Sequence, residues 1–160
     1  MPIDISNIDS LAPPFDFSVA SQDDVDTIEK ALWYLLTDHF GVSGFASTRV
    51  YPEIIPQNTT FPAVVYNLIA APRSHHLTGM TDLVPARFQI TAYADTYAEM
   101  RGISDEIRRA LDSIQTTIGT VEIASSLMVD EVDLTERKPG TDKLTKRGRA
   151  LDFRITYREV

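Results

Sequence analysis

Residues 83–114 read LVPARFQITAYADTYAEMRGISDEIRRALDSI, and the spacing of their apolar side chains changes once, near Asp95-Thr96. Before that point Val84, Ala86, Phe88, Ile90 and Ala92 alternate with Arg87, Gln89, Thr91 and Tyr93. Period 2 is the mark of a strand, here over about 83–94, with one face in a core and the other wet or at an interface. After that point Met100, Ile103, Ile107, Ala110 or Leu111, and Ile114 recur at helical spacing, which predicts a helix over about 97–114. Thr96 and Glu99 stand at capping-box separation and mark its start. Asp105 with Arg109 and Arg108 with Asp112 are spaced for surface pairs, each worth roughly 0.2–0.5 kcal/mol.

Towards the C-terminus, Gly119 precedes a long strand over about 120–135, an Arg137–Arg149 loop and a last strand over about 149–159. In that last strand Leu151, Phe153, Ile155 and Tyr157 stand opposite Asp152, Arg154, Thr156 and Arg158. Towards the N-terminus lies a polar Pro72–Asp82 loop. Before it comes a strand over about 63–71 whose two faces are both largely apolar, which predicts a central position. A connector punctuated by Pro52, Pro56 and Pro62 separates that strand from a short one at Thr48–Tyr51. Val25, Ile28, Leu32, Leu35 or Leu36, and Phe40 predict a first helix over about 22–40, capped by Ser21, acidic in its first turns and stopped by Gly41 and Gly44. Residues 1–20, with Pro13-Pro14 and scattered Ile3, Ile5, Leu11, Phe15 and Phe17, follow neither period and read as an extended arm that docks elsewhere. The order α-β-β-β-α-β-β predicts an α+β, two-layer domain at 21–160. Its mostly antiparallel sheet of four to five strands carries two helices on one face.

At 160 residues and 17.9 kDa one core is expected, and the composition is that of a globular chain. Fifteen Lys and Arg against 23 Asp and Glu give a formal charge of -8, which argues against broad contact with duplex nucleic acid. The absence of Cys removes disulfides, thiolate zinc sites and thiol catalysis, and fits a reducing compartment. Met1-Pro2-Ile3-Asp4 lacks the basic and apolar regions of a signal peptide, and no run nears the ~18 apolar residues of a membrane span. No membrane partner is expected, and the chain is expected to be made and kept in the cytoplasm.

Chemical motifs are sparse. His75-His76 lack the i, i+4 spacing that points two imidazoles at one metal, so they read as part of a solvated loop. Asp130, Glu131 and Asp133 form an acidic cluster, but neighbouring residues of a strand face opposite ways, so no paired acid and base follows. No GxGxxG, GxxxxGK[ST] or GxSxG setting occurs. No catalytic residue, metal site or cofactor is assigned. A small α+β enzyme and a stand-alone oligomeric binding module stay open at this point.

Three stretches together resemble the tail-completion, or tail-terminator, proteins of long-tailed bacteriophages. They are Ala31–Tyr66, with Arg49-Val-Tyr-Pro52 and Phe61-Pro-Ala-Val-Val-Tyr66; Phe88–Glu99; and Asp130–Glu136 followed by Arg149–Glu159. The resemblance implies a structural virion protein, not an enzyme, that caps the tail tube in the neck. It implies a homo-oligomer, a hexameric ring through which DNA passes without sequence-specific binding. The implied partners are a tail tube protein and a head-completion or connector protein. A ring builder needs self-complementary flanks rather than a catalytic site.

Two sets of residues are candidates for the contacts. One is the row Arg87, Gln89, Thr91 and Tyr93 beside Asp152, Arg154, Thr156 and Arg158, whose charges are expected to pair across subunits. The other is the basic segment holding Arg137, Lys138, Lys143, Lys146, Arg147 and Arg149, expected as a long hairpin whose tip projects towards an acidic patch on a neighbour.

Overall fold

The computed structural model describes residues 21–76, 79–80, 82–137 and 144–159. Among these residues the architecture is α+β, with three α-helices and one six-stranded sheet, plus a separate two-stranded ribbon. The helices are α1 (Ile28–Asp38), α2 (Phe40–Ala46) and α3 (Tyr97–Leu111). The strands are β1 (Val50–Pro52), β2 (Ala63–Ala70), β3 (His75–His76), β4 (Gly79–Met80), β5 (Val84–Ala94), β6 (Thr116–Ile118), β7 (Val121–Arg137) and β8 (Leu144–Glu159). The sheet order is β1-β2-β5-β8-β7-β6, and every pair is antiparallel except β1 with β2. The expected four to five strands are therefore six, in a mixed sheet. His75-His76 pair with Gly79-Met80 in the ribbon rather than lying in an open loop.

The period-2 and period-3.6 patterns land where the sequence puts them. Val84, Ala86, Phe88, Ile90 and Ala92 of β5 are buried with Leu151, Phe153, Ile155 and Tyr157 of β8. Against that face α3 lays Met100, Ile103, Ile107, Ala110 and Leu111, and α1 lays Ile28, Leu32 and Leu36. Thr96 accepts the Glu99 amide at 3.2 Å, an N-cap worth about 1 kcal/mol. The surface pairs on α3 differ from the expected ones. Asp105 takes Arg101 and Arg108, Glu106 takes Arg109, and Asp112 accepts the Met128 amide of β7 at 2.9 Å.

The first helix is broken. Ser21 and Asp24 close a 3-10 turn at Gln22–Asp24, Thr27 caps α1, and His39 turns extended (ψ 116°) before α2 begins. Gly41, expected to stop a helix, lies inside α2. A Cβ there would come within 1.9 Å of the Glu106 carboxylate, a flexible side chain of α3 that would have to turn aside. Gly119 is used differently. It holds φ +56° in the β6–β7 turn, where a Cβ would sit 2.1 Å from the Val25 carbonyl oxygen, itself bonded to the Thr120 amide. The last correction concerns β8, which begins at Leu144 instead of Arg149 and pairs with β7 as far as Arg137–Leu144. Much of the expected basic loop is strand.

Candidate assembly surface on the outer face of the sheet

The face of the sheet turned away from the helices is built by cross-strand register. Arg87 stands opposite Arg154, Gln89 opposite Asp152, Thr91 opposite Ala150 and Tyr93 opposite Gly148. On the other side of β8, Leu127 faces Arg154, Asp130 faces Asp152, Val132 faces Ala150 and Leu134 faces Gly148. The two sequence rows therefore do lie side by side.

Their charges pair within the chain rather than being left for a neighbour. Asp152, buried at 8% exposure, accepts hydrogen bonds from the Arg87 guanidinium and, at 3.0 Å, from Gln89 Nε2. Arg158 holds Glu122 across β7–β8 at 2.7 Å. Arg154 is exposed and shows no hydrogen-bonded or ionic partner among the described residues.

The face is not uniformly wet. The β1–β2 connector folds back over its β2 side, so Val65 and Thr91 are buried. Between connector and sheet runs a groove of about 630 Å³, walled by Ile54, Ile55, Pro56 and Phe61, with Asn67, Gln89, Thr91 and Tyr93 on its sheet side and Leu134 and Lys146 at its β7–β8 side. Lys146 Nζ sits 3.2 Å from the centroid of the Phe61 ring, a cation–π contact that ties the connector to β8. Gly148 lets the Tyr93 ring lie across β8, since a Cβ there would be 2.9 Å from that ring. Thr59, one of the hydroxyl residues lining the groove, donates to the Pro56 carbonyl at 2.7 Å.

Along the free side of the face Leu127 and Val132 are half exposed, at 50% and 52%, and Leu134 is exposed at 37%. These apolar side chains were not singled out from the sequence. The signal was present, since Val132 and Leu134 alternate with Glu131 and Asp133.

The basic segment splits. Lys138 and Lys143 lie outside the described residues, and Arg137 ends β7 opposite Leu144. Arg147 is half-buried and stands opposite Ala94, on the helix side. Arg149 is on that side too and is buried at 5% exposure. Its Nε donates to Asp133 at 2.6 Å and its Nη2 to the Tyr97 hydroxyl at 3.4 Å, while Nη1 finds no partner. The Arg149 hydrogen bond holds the Asp133 carboxyl below its usual range, and Asp133 in turn pushes the Arg149 guanidinium up. Arg149 is thus a structural residue pinning the start of α3 to the β7–β8 ribbon.

A second cavity, of about 540 Å³, lies between the start of α1 and the β1–β2 edge, lined by Glu29, Ile54, Tyr66, Leu68 and Phe88 among others. The Tyr66 hydroxyl is buried without a partner, and burial, with Glu29 second, pushes its pKa up. Among the described residues no cluster of three or more His, Asp or Glu could hold a metal, and no helix is long and apolar enough to cross a membrane.

Comparison with known proteins agrees with this architecture. The family described as "Tail completion protein gp17" matches residues 30–158. A chain of the solved structure titled "Virion of native gene transfer agent (GTA) particle" has the same fold, with TM-score 0.62 and 16% identity over 82% of this chain and 94% of that one. No curated protein matches.

Proposed function

We propose, on the premise that the chain belongs to the tail completion protein gp17 family and is a structural component of a phage-type virion, that it closes the tail tube and forms part of the head–tail neck. The family match over residues 30–158 carries this reading. The outer face supports it, because it exposes Leu127, Val132 and Leu134 together with Arg154 and Asp130, apolar and charged side chains on one surface. Copies associate head to tail into a closed ring, a hexamer, with the tube protein on one side and a head-completion or connector protein on the other. The likeness to a chain of a gene transfer agent virion is consistent with a place among other virion proteins. No catalytic step belongs to this role.

The ring surrounds the DNA path. With -8 charges per copy, a negative lumen keeps the phosphate backbone from adhering as it slides. Electron microscopy of assembled tails tests the reading: six copies at the head-proximal end of the tube are expected, with acidic side chains towards the axis. A different position or symmetry, or a lumen lined by Lys and Arg, refutes it.

A further inference from the structure

The row of β2 that faces the core runs out of cover. Val64 and Tyr66 are 0% and 2% exposed, yet Leu68, next on the same face and opposite Phe88 of β5, is 48% exposed. β1 pairs with β2 only as far as Tyr66, and α1 begins at Ile28. The cavity of about 540 Å³ stays open between them, with Thr27 and Glu29 on one side and Tyr66, Leu68 and Phe88 on the other. Tyr66 lines it, and the buried Tyr66 hydroxyl has no hydrogen-bond partner. A buried hydroxyl left unbonded is costly, so this opening in the core suits an occupant that is apolar and brings an acceptor.

Residues 1–20 lie outside both the described fold and the family match, which begins at residue 30. Within them, Leu11-Ala-Pro-Pro-Phe-Asp-Phe17 joins two aromatic rings to two prolines, which pre-set an extended backbone with free carbonyls. In an extended segment Phe15 and Phe17 share one side and Asp16 takes the other. The cavity selects that arrangement, because Glu29 and Glu53 in its lining repel Asp16. Arg73 attracts it. That residue is exposed, makes no ion pair among the described residues, and stands at this end of the sheet, since Arg73 and Glu29 both act on the Tyr157 hydroxyl.

Reach and tethering decide whose segment fills the cavity. Thr27, at the rim, lies six residues after Ser21, and Phe15 lies six before it. Six residues span at most about 22 Å, so an extended chain from Ser21 back to Phe15 covers any distance at which Thr27 can stand, and Leu11 reaches about 36 Å. The 3-10 turn at Gln22–Asp24 shortens the gap further. A segment tied to its site by so short a link meets it at an effective concentration on the order of millimolar, well above that of the same segment on another molecule.

We infer that the segment Leu11–Phe17 docks in the cavity between α1 and the β1–β2 edge of its own chain. Phe15 enters beside Leu68 and Phe88, a main-chain carbonyl of the segment accepts the Tyr66 hydroxyl, and Asp16 turns out towards Arg73. The arm thereby completes the core layer that α1 leaves open.

Competition tests it. A fluorescent peptide of residues 8–20 is titrated into the parent chain and into full-length Phe15→Asp, whose own arm is disabled. Binding to Phe15→Asp is expected, and at least about tenfold weaker binding to the parent, where the arm holds the site. Adding Leu68→Asp to Phe15→Asp is expected to abolish binding. Adding Tyr66→Phe, which removes one hydroxyl and keeps the ring, is expected to weaken it about fivefold, an effect that an unused hydroxyl would not give. Leu134→Asp in the connector groove is expected to leave it unchanged. Equal binding to parent and Phe15→Asp, no binding to either at millimolar concentration, or sensitivity at Leu134 in place of Leu68 overturns the proposal. Because the chain has no Cys, Phe15→Cys and Leu68→Cys can be joined in one molecule. On oxidation a link closed within the monomer is expected, and linked dimers in its place overturn the assignment to the same chain. None of these readouts depends on the ring, so the two readings fail separately.

Discussion

The two faces of β5 and β8 carry opposite assignments although they share a backbone. On the helix side Phe88, Ile90, Leu151, Phe153 and Ile155 are fully buried, and a residue there answers to packing. On the outer side Arg87, Gln89, Asp152 and Arg154 occupy the alternate positions, where one carboxylate ties two neighbours and the last cation is left over. A strand of period 2 thus writes the core into one face and leaves the other for the proposed assembly contacts, and single substitutions separate them. The sharpest contrast is between neighbours. Phe153→Ala is expected to lose about 3–5 kcal/mol in denaturant unfolding, through lost burial and a cavity beside Phe88 in the core. Arg154→Ala is expected within about 0.5 kcal/mol of the parent while weakening assembly into tails. Equal losses of stability at 153 and 154 would erase the distinction between the faces.

Asp152 tests where the boundary runs, because it lies on the outer face and is nonetheless buried. Asp152→Ala removes the acceptor of Arg87 and Gln89 and is expected to cost about 2 kcal/mol, less than Phe153→Ala because Arg87 is half exposed and can turn to water. Asp152→Asn, which keeps an acceptor oxygen, is expected to recover part of that loss. A neutral Asp152→Ala would mean that the outer network contributes nothing to the fold.

What the sequence made legible follows the same division. The alternation at 83–94 and 149–159, and the stripe on 97–111, could be read because one face of each is buried, and burial imposes a period. The parallel pairing of β1 was not legible, since a three-residue strand carries no period and its partner is chosen by topology. The break at His39 was hidden because Leu36 and Phe40 keep helical spacing across it, although Phe40 turns out 90% exposed. Among the candidate contact residues, adjacency of the two outer rows was legible from alternation, but their internal pairing was not, because register is not written in either strand alone. Arg149, read as the first residue of the last strand, was misplaced among the outward basic residues because it closes a run of Lys, Arg and Gly. Yet Arg147, Arg149 and Leu151 continue the inner-face period, and Asp133 supplies the cross-strand partner.

That misplacement sharpens into a comparison within the basic segment. Arg149→Gln is expected to cost about 1 kcal/mol, a small figure for a buried residue because the unpartnered Nη1 already weighs against the native arrangement. Replacing Arg137, Lys138, Lys143, Lys146 and Arg147 with Gln, leaving Arg149 in place, is expected to change thermal unfolding little while tails fail to cap or to join heads. Infectious particles at the parental yield would reduce that ribbon to a connector.

The smallest effect concerns the partner of Arg149, and it is a matter of pH. Asp133 has its carboxyl held below the ordinary 3.8 by the Arg149 hydrogen bond. A carboxyl lowered in the folded state contributes stability that is complete above its unfolded pKa and disappears as pH falls through the folded one. The contribution is therefore present at neutral pH and lost in the acid range, beginning near pH 4. Asp133 is half exposed, so solvent screens the pair and the loss is expected to stay under about 1 kcal/mol. Unfolding free energies measured from pH 6 down to pH 2.5 should fall less steeply for Asp133→Asn than for the parent, the two converging at the acid end. Parallel curves would show that the Arg149 contact does not depend on the Asp133 charge, and that Tyr97 and packing against α3 are what hold this arginine inside.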